Sequence, residues 1–189
     1  MFGAVYLALW RRAPLPLVAV QVVSVLPALL ASALWLVVDI GPLIALLAAF
    51  LVLTIAAERA ELAQLSMGRR AVPTLVGLAS VLAVSAAASL AWPDAALRVF
   101  GATVLATAVW LARDDVARRM IHTDGLRRYN AAALLAGYFW LGAAGLTWLL
   151  AGVPEQHATY DIVIHATFLG FGVSMVMAHA PIILPAVLG

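Results

Sequence analysis

Six stretches of this chain run for 16 to 25 residues with at most one charged side chain each. A helix of about 20 apolar residues matches the thickness of the hydrocarbon core of a bilayer. The sequence therefore predicts an all-α fold, a polytopic transmembrane helix bundle of about six spans that forms a single domain over residues 1–189. The predicted spans are residues 15–38, 42–57, 72–92, 95–112, 131–151 and 160–184.

The composition of the chain narrows its class and its chemistry. Hydrophobic residues make up 66% and charged residues 11%, whereas a soluble domain carries roughly a quarter charged residues, so the lipid bilayer is the expected surrounding. The sequence has 0 cysteines, which excludes disulfides, thiolate nucleophiles and cysteine-ligated metals. It contains no Gly-rich phosphate loop and no serine nucleophile motif, and therefore does not indicate hydrolysis.

The arginines predict the orientation of the bundle. All 11 basic residues are arginines, and they lie beside span ends instead of forming one basic face, so no nucleic-acid partner is expected. Basic residues in short loops are retained in the cytoplasm. Ten of the 11 then mark one side, with both termini cytoplasmic: Arg11, Arg12, Arg59, Arg69, Arg70, Arg113, Arg118, Arg119, Arg127 and Arg128. Residues 1–10 are too short to span and lack a leading basic region, so an interfacial segment is expected there, and not a signal peptide.

The last span carries most of the chemical information. His165 and His179 lie 14 residues apart, which in an ideal α-helix is about 1400° of rotation and about 21 Å of rise. Both imidazoles should then share one face, one near each leaflet, with Gly172 midway between them. A missing side chain at Gly172 would admit a flat macrocycle or another helix. This pattern is typical of a membrane protein that holds b-type haem through axial histidines; the alternative is that both histidines are interfacial and bind nothing.

Bis-histidine ligation needs further ligands, which the sequence leaves open. The second axial group would come from a second copy in a homodimer, from a partner membrane subunit, or from Met175 or Met177. Copper is the alternative metal, because His157, Asp161 and His165 follow one another at a helical spacing of four residues.

Several charged residues have two readings. Arg98, one turn inside the fourth span, would meet an outer haem propionate or pair with Asp94 or Asp161. Arg59, where the second span ends, would pair with a carboxylate or an inner propionate, or be solvated. The loop after the fourth span has charges of both signs and is assigned to the cytoplasm: Asp114, Asp115, Arg118, Arg119 and Asp124.

Two segments carry a family resemblance. The run HATFLGFGVSMVMAHAPIILP from His165 onward, with Glu58-Arg59-Ala-Glu61-Leu, resembles bacterial haem- and copper-associated membrane proteins of the NnrS type, which are distantly similar to subunit I of haem-copper oxidases. The resemblance implies haem association in the bacterial cytoplasmic (inner) membrane, for electron transfer or haem-linked redox sensing. The competing hypothesis is a non-catalytic membrane subunit or small-solute transporter without haem.

Overall fold

The computed structural model describes residues 16–62 and 68–188, and every regular element in these two ranges is a helix. The segment predicted to be interfacial, with Arg11 and Arg12, lies outside the described residues. The helices are α1 (Pro16–Leu34), α2 (Ile40–Leu62), α3 (Ala71–Ala88), α4 (Pro93–Asp114), the short α5 (Ala117–Met120), α6 (Leu126–Ala151), α7 (His157–Ile164), a π-helix (His165–Val173) and α8 (Ser174–Leu188).

The predicted all-α class is confirmed, and five helices of the described chain are long and apolar enough to cross a membrane: Ile40–Leu62, Ala71–Ala88, Pro93–Asp114, Leu126–Ala151 and His157–Pro185. The apolar part of α1, Val18–Leu34, is shorter. The helix α2 continues past the predicted end at residue 57, because Glu58 and Arg59 remain helical. Its 23 residues rise about 35 Å, enough to cross the hydrocarbon core.

The helix α2 lies at the centre of the bundle. It packs against α1, α3, α4 and the π-helix, and its residues Leu43, Leu46 and Ala48 are fully buried. The final helix, from His157 onward, lies at the outside of the bundle and leaves apolar side chains exposed along its length. This exposed apolar face widens around the helix near its C-terminal end and includes Ile162, Leu169, Val173, Val176, Ile182, Ile183 and Leu184.

The helices α4 and α6 cross at two glycines that let their backbones approach closely. A Cβ atom on Gly145 would lie 2.6 Å from the amide nitrogen of Leu105, and one on Gly101 would lie 2.6 Å from the carbonyl oxygen of Gly145. Only a residue without a side chain fits at such a crossing. The guanidinium of Arg98 donates to the carbonyls of Leu149 and Leu150, so the start of α4 lies beside the end of α6 and the two helices are antiparallel.

A π-helix interrupts the final helix between its two histidines. In a π-helix each N–H bonds to a carbonyl five residues back, so a turn holds more residues than an α-helical turn. The rotation assumed from α-helical geometry therefore does not carry through from His165 to His179. In the structure His165 is exposed and His179 is half-buried, and the two side chains have different neighbours.

Candidate functional site

A buried polar cluster joins α2, α4, α6 and α8 at the arginine-rich end of the bundle. Arg59 donates to both carboxylate oxygens of Asp115, at 2.8 Å from Nε and 2.7 Å from Nη2. The two side chains are 7% and 0% exposed. The Tyr138 hydroxyl and the Ala117 amide also donate to this carboxylate. Four donors therefore hold the buried charge of Asp115, which would otherwise be very unfavourable in an apolar interior.

Helical periodicity brings the two charges into the bundle. Asp115 follows the fully buried Leu111 by four residues and thus lies on the same face. Arg59 follows the buried Ala56 by three. Of the alternatives for Arg59, the structure shows the pairing with a carboxylate, and the prediction of a solvated helix end is wrong. The assignment of Asp115 to a loop of mixed charge missed its burial. The spacing from Leu111 was the signal that would have revealed it.

His179 adjoins this cluster, and both of its ring nitrogens have partners. Its Nδ1 lies 2.6 Å from the carbonyl oxygen of Met175, and its Nε2 lies 3.4 Å from Nη1 of Arg59. Because Nδ1 donates to a carbonyl, Nε2 is the nitrogen left to accept, and it accepts a hydrogen bond from the guanidinium of Arg59. A metal at Nε2 would have to displace Arg59, which Asp115 holds in place.

His165 has a different environment, an open groove on the outer surface of the bundle. The groove has a volume of about 580 Å³ and lies between Trp140 on α6 and the final helix. Nδ1 of His165 lies 2.8 Å from the carbonyl oxygen of Asp161, and no hydrogen-bond partner of Nε2 lies within residues 16–62 or 68–188. Metal-binding histidines usually donate their second N–H to a carbonyl or carboxylate in this way, which fixes the ring and frees the other nitrogen.

Gly172 and Gly170 face different neighbours, and Gly170 is the one that lines the groove. A Cβ atom on Gly172 would lie at an ordinary 3.5 Å from Leu51 on α2, so this position faces a helix of the same chain. A Cβ atom on Gly170 would lie 2.5 Å from Cγ of Trp140, so Gly170 is what allows the indole to contact the helix. Met175 is buried with its side chain against Gly137, and the structure places it in the core.

The remaining predicted site residues lie at the opposite end of the bundle from the buried cluster. Arg98 pairs with Asp94, with 3.0 Å between Nε and Oδ2, which is one of the three predicted alternatives. His157 lies 3.4 Å from the Asp161 carboxylate and is exposed. Among the described residues no group of three or more histidine, aspartate or glutamate side chains is placed to hold a metal ion, and the structure does not bring His165 and His179 together.

Comparison with known proteins gives the family of the chain. A family model described as "Domain of unknown function (DUF8744)" matches residues 1–189, so the chain belongs to that family. No curated protein matches the chain, and no solved structure matches it. The resemblance to NnrS-type proteins and the single-domain boundary stay predictions.

Proposed function

We propose that this member of the DUF8744 family is a b-type haem protein of the bacterial cytoplasmic membrane, in which His165 is an axial ligand. The haem would serve electron transfer or haem-linked redox sensing. The observation that carries the proposal is the state of His165: its ring is oriented by the Asp161 carbonyl, and it lines an open groove whose other residues are mainly apolar.

The size and the lining of the groove support a hydrophobic macrocycle as its ligand. Its volume of about 580 Å³ lies within the usual range for small-molecule sites, about 300–1,000 Å³. Imidazole is a common axial ligand of haem iron, and a bound haem supplies one-electron redox chemistry. The residues of this chain would orient the imidazole and cover one face of the ligand.

The second axial ligand would come from outside this chain. Met177 lines the same groove as His165 but lies 12 residues further along the final helix, so the two are several helical turns apart and cannot bind one iron. His179 is held by Arg59. The exposed apolar face of the final helix suits packing against a second copy or a partner membrane subunit, either of which would place a ligand opposite His165.

The proposed topology has six spans, namely α1 and the five longer apolar helices, with both termini in the cytoplasm. Contacts support the alternation of the helices: Arg59 near the end of α2 meets Asp115 just after α4, whereas Arg98 near the start of α4 meets the end of α6. The arginines at the ends of α2 and α4 and at the starts of α3 and α6 then lie on one side, which the positive-inside rule assigns to the cytoplasm.

The second candidate function is a membrane subunit without haem. It is favoured by the exposure of His165 and by the apolar face of the final helix, which needs no cofactor to pack against a partner. Both candidates share the topology, so the two are separated only by what the groove binds.

Optical spectroscopy tests the proposal. The detergent-purified protein is supplied with haem, separated from free haem and reduced with dithionite. We expect the sharp α band of a b-type cytochrome, its loss in His165→Ala, and its retention in His157→Ala, which removes an exposed histidine outside the groove. Absence of the band from the wild-type protein would contradict haem binding and leave the haem-free subunit.

A further inference from the structure

A second cavity, separate from the His165 groove, lies at the arginine-rich end of the bundle. Its volume is about 810 Å³. Three segments of the chain form it: the residues that precede α3, the end of α4, and α5 with the turn that follows. The lining residues are Gly68, Arg69, Arg70, Arg113, Asp114, Asp115, Arg118, Arg119 and His122.

The two carboxylates in this cavity are already neutralised. Asp115 is paired with Arg59, which lies outside the cavity lining. Asp114 accepts a hydrogen bond from Arg113 at 2.9 Å. The lining thus holds five arginines and two aspartates, and Arg59 adds a sixth positive charge outside it. Four positive charges remain uncompensated in this set, since six arginines minus two aspartates leaves four.

The four surplus arginines converge from two directions. Arg69 and Arg70 precede α3, and Arg70 is its N-terminal cap residue, where the helix macrodipole is positive. Arg118 and Arg119 lie on α5. Among the described residues, no ion pair is found for these four side chains. A guanidinium binds phosphate oxygens through two parallel hydrogen bonds, and several of them around one cavity form a recurrent phosphate site.

We propose that this cavity binds a phosphate group, carried either by the headgroup of an anionic phospholipid or by a soluble phosphate compound. The positive-inside rule explains why arginines lie at this end of the bundle, but it does not require them to surround one cavity. Arg127 and Arg128 make the contrast, because they lie at the start of α6 in the same connection and do not line the cavity.

The test compares two double variants with the same loss of net charge. Arg118→Gln with Arg119→Gln removes two arginines of the cavity, and Arg127→Gln with Arg128→Gln removes two exposed arginines outside it. Binding of inorganic phosphate is measured by calorimetric titration of protein in phosphatidylcholine nanodiscs. Binding of phosphatidic acid is measured in detergent by native mass spectrometry, with phosphatidylcholine as the competitor.

We expect the wild-type protein to bind phosphatidic acid in preference to phosphatidylcholine, and the cavity variant to bind at least roughly tenfold more weakly, since each lost arginine removes charge-assisted hydrogen bonds. The outer variant should stay within about twofold of wild type. Binding of inorganic phosphate as well would identify the ligand as a soluble phosphate compound, and phosphatidic acid alone would identify a lipid headgroup.

Equal weakening in the two double variants would overturn the proposal, because it would show diffuse attraction and not a site. The proposal would also be overturned if the wild-type protein bound no inorganic phosphate and did not prefer phosphatidic acid to phosphatidylcholine. If the Arg118→Gln, Arg119→Gln variant does not purify as a folded protein, Arg69→Gln with Arg70→Gln removes the two arginines on the other side of the cavity. The same weakening is expected of it.

Discussion

Replacement of Asp115 by asparagine isolates the energetic role of the buried cluster. Asparagine has nearly the same shape as aspartate but lacks the negative charge. The guanidinium of Arg59, 7% exposed, would then stay charged in an apolar interior without a counter-ion. The Tyr138 hydroxyl would also lose the charged acceptor to which it now donates.

The expected loss follows from what is left unpaired. Removal of one partner from a buried ion pair typically destabilises a protein by about 3–5 kcal/mol. A hydrogen bond to a charged group contributes about 1.5–3 kcal/mol, so Tyr138→Phe should destabilise less than Asp115→Asn. The double variant Arg59→Met with Asp115→Asn removes both charges, and its loss should be smaller than that of Asp115→Asn alone.

The assay is reversible denaturation in mixed detergent micelles, followed by the fluorescence of the 6 tryptophans. The matched control is Asp114→Asn, the same substitution one residue earlier, because Asp114 pairs with Arg113, whose side chain is 72% exposed. We expect this control to leave the denaturation midpoint nearly unchanged. Equal effects of the two substitutions, or a double variant less stable than Asp115→Asn, would refute the buried-pair account.

Three further predictions concern packing and topology. Gly101→Ala should destabilise the folded protein by about 1–3 kcal/mol, because its methyl group would meet the backbone of α6. Its control is Gly77→Ala, where nothing lies within 4 Å of the added methyl group; this change should be neutral or stabilise the protein by up to about 1 kcal/mol, and thermal unfolding measures both. Gly152→Ala should lower thermal stability, since Gly152 has a φ of 64° and faces Asp94, and Gly41→Ala, with open space around it, is its control. In a protein with 0 native cysteines, Glu155→Cys should react with an impermeant maleimide in spheroplasts and Asp124→Cys only after lysis; the reverse pattern would invert the topology.

The five helices long and apolar enough to cross a membrane were predictable because burial in lipid depends on local composition. Runs of apolar residues give helix positions directly, and Trp92-Pro93 marks the start of α4, where Pro93 is the first helical residue. Helix ends were less predictable. Charge at Glu58 and Arg59 looks like a boundary, yet α2 continues because Arg59 finds a partner 56 residues away. A local sequence pattern cannot show a contact between residues so far apart in the chain.

The site was predictable only in part, for two physical reasons. The sequence singles out His165 and His179 on the final helix, but it does not show that only His165 of the two lines the groove. The π-helix between His165 and Val173 depends on how that helix packs on its neighbours. It alters which residues share a face with His165: Gly170, which contacts Trp140, lines the groove beside that histidine, whereas Gly172 faces Leu51 on α2. The pairing of His179 with Arg59 likewise arises from the packing of α8 beside α2.

The ratio of bound haem to protein in two histidine variants tests the central proposal most directly. His179→Gln keeps a hydrogen-bond acceptor for Arg59, and His165→Ala removes the proposed ligand. After saturation with haem and gel filtration, we expect His179→Gln to retain the haem content of the wild-type protein and His165→Ala to retain none. Haem lost from His179→Gln but kept by His165→Ala would contradict the assignment of His165 as the axial ligand.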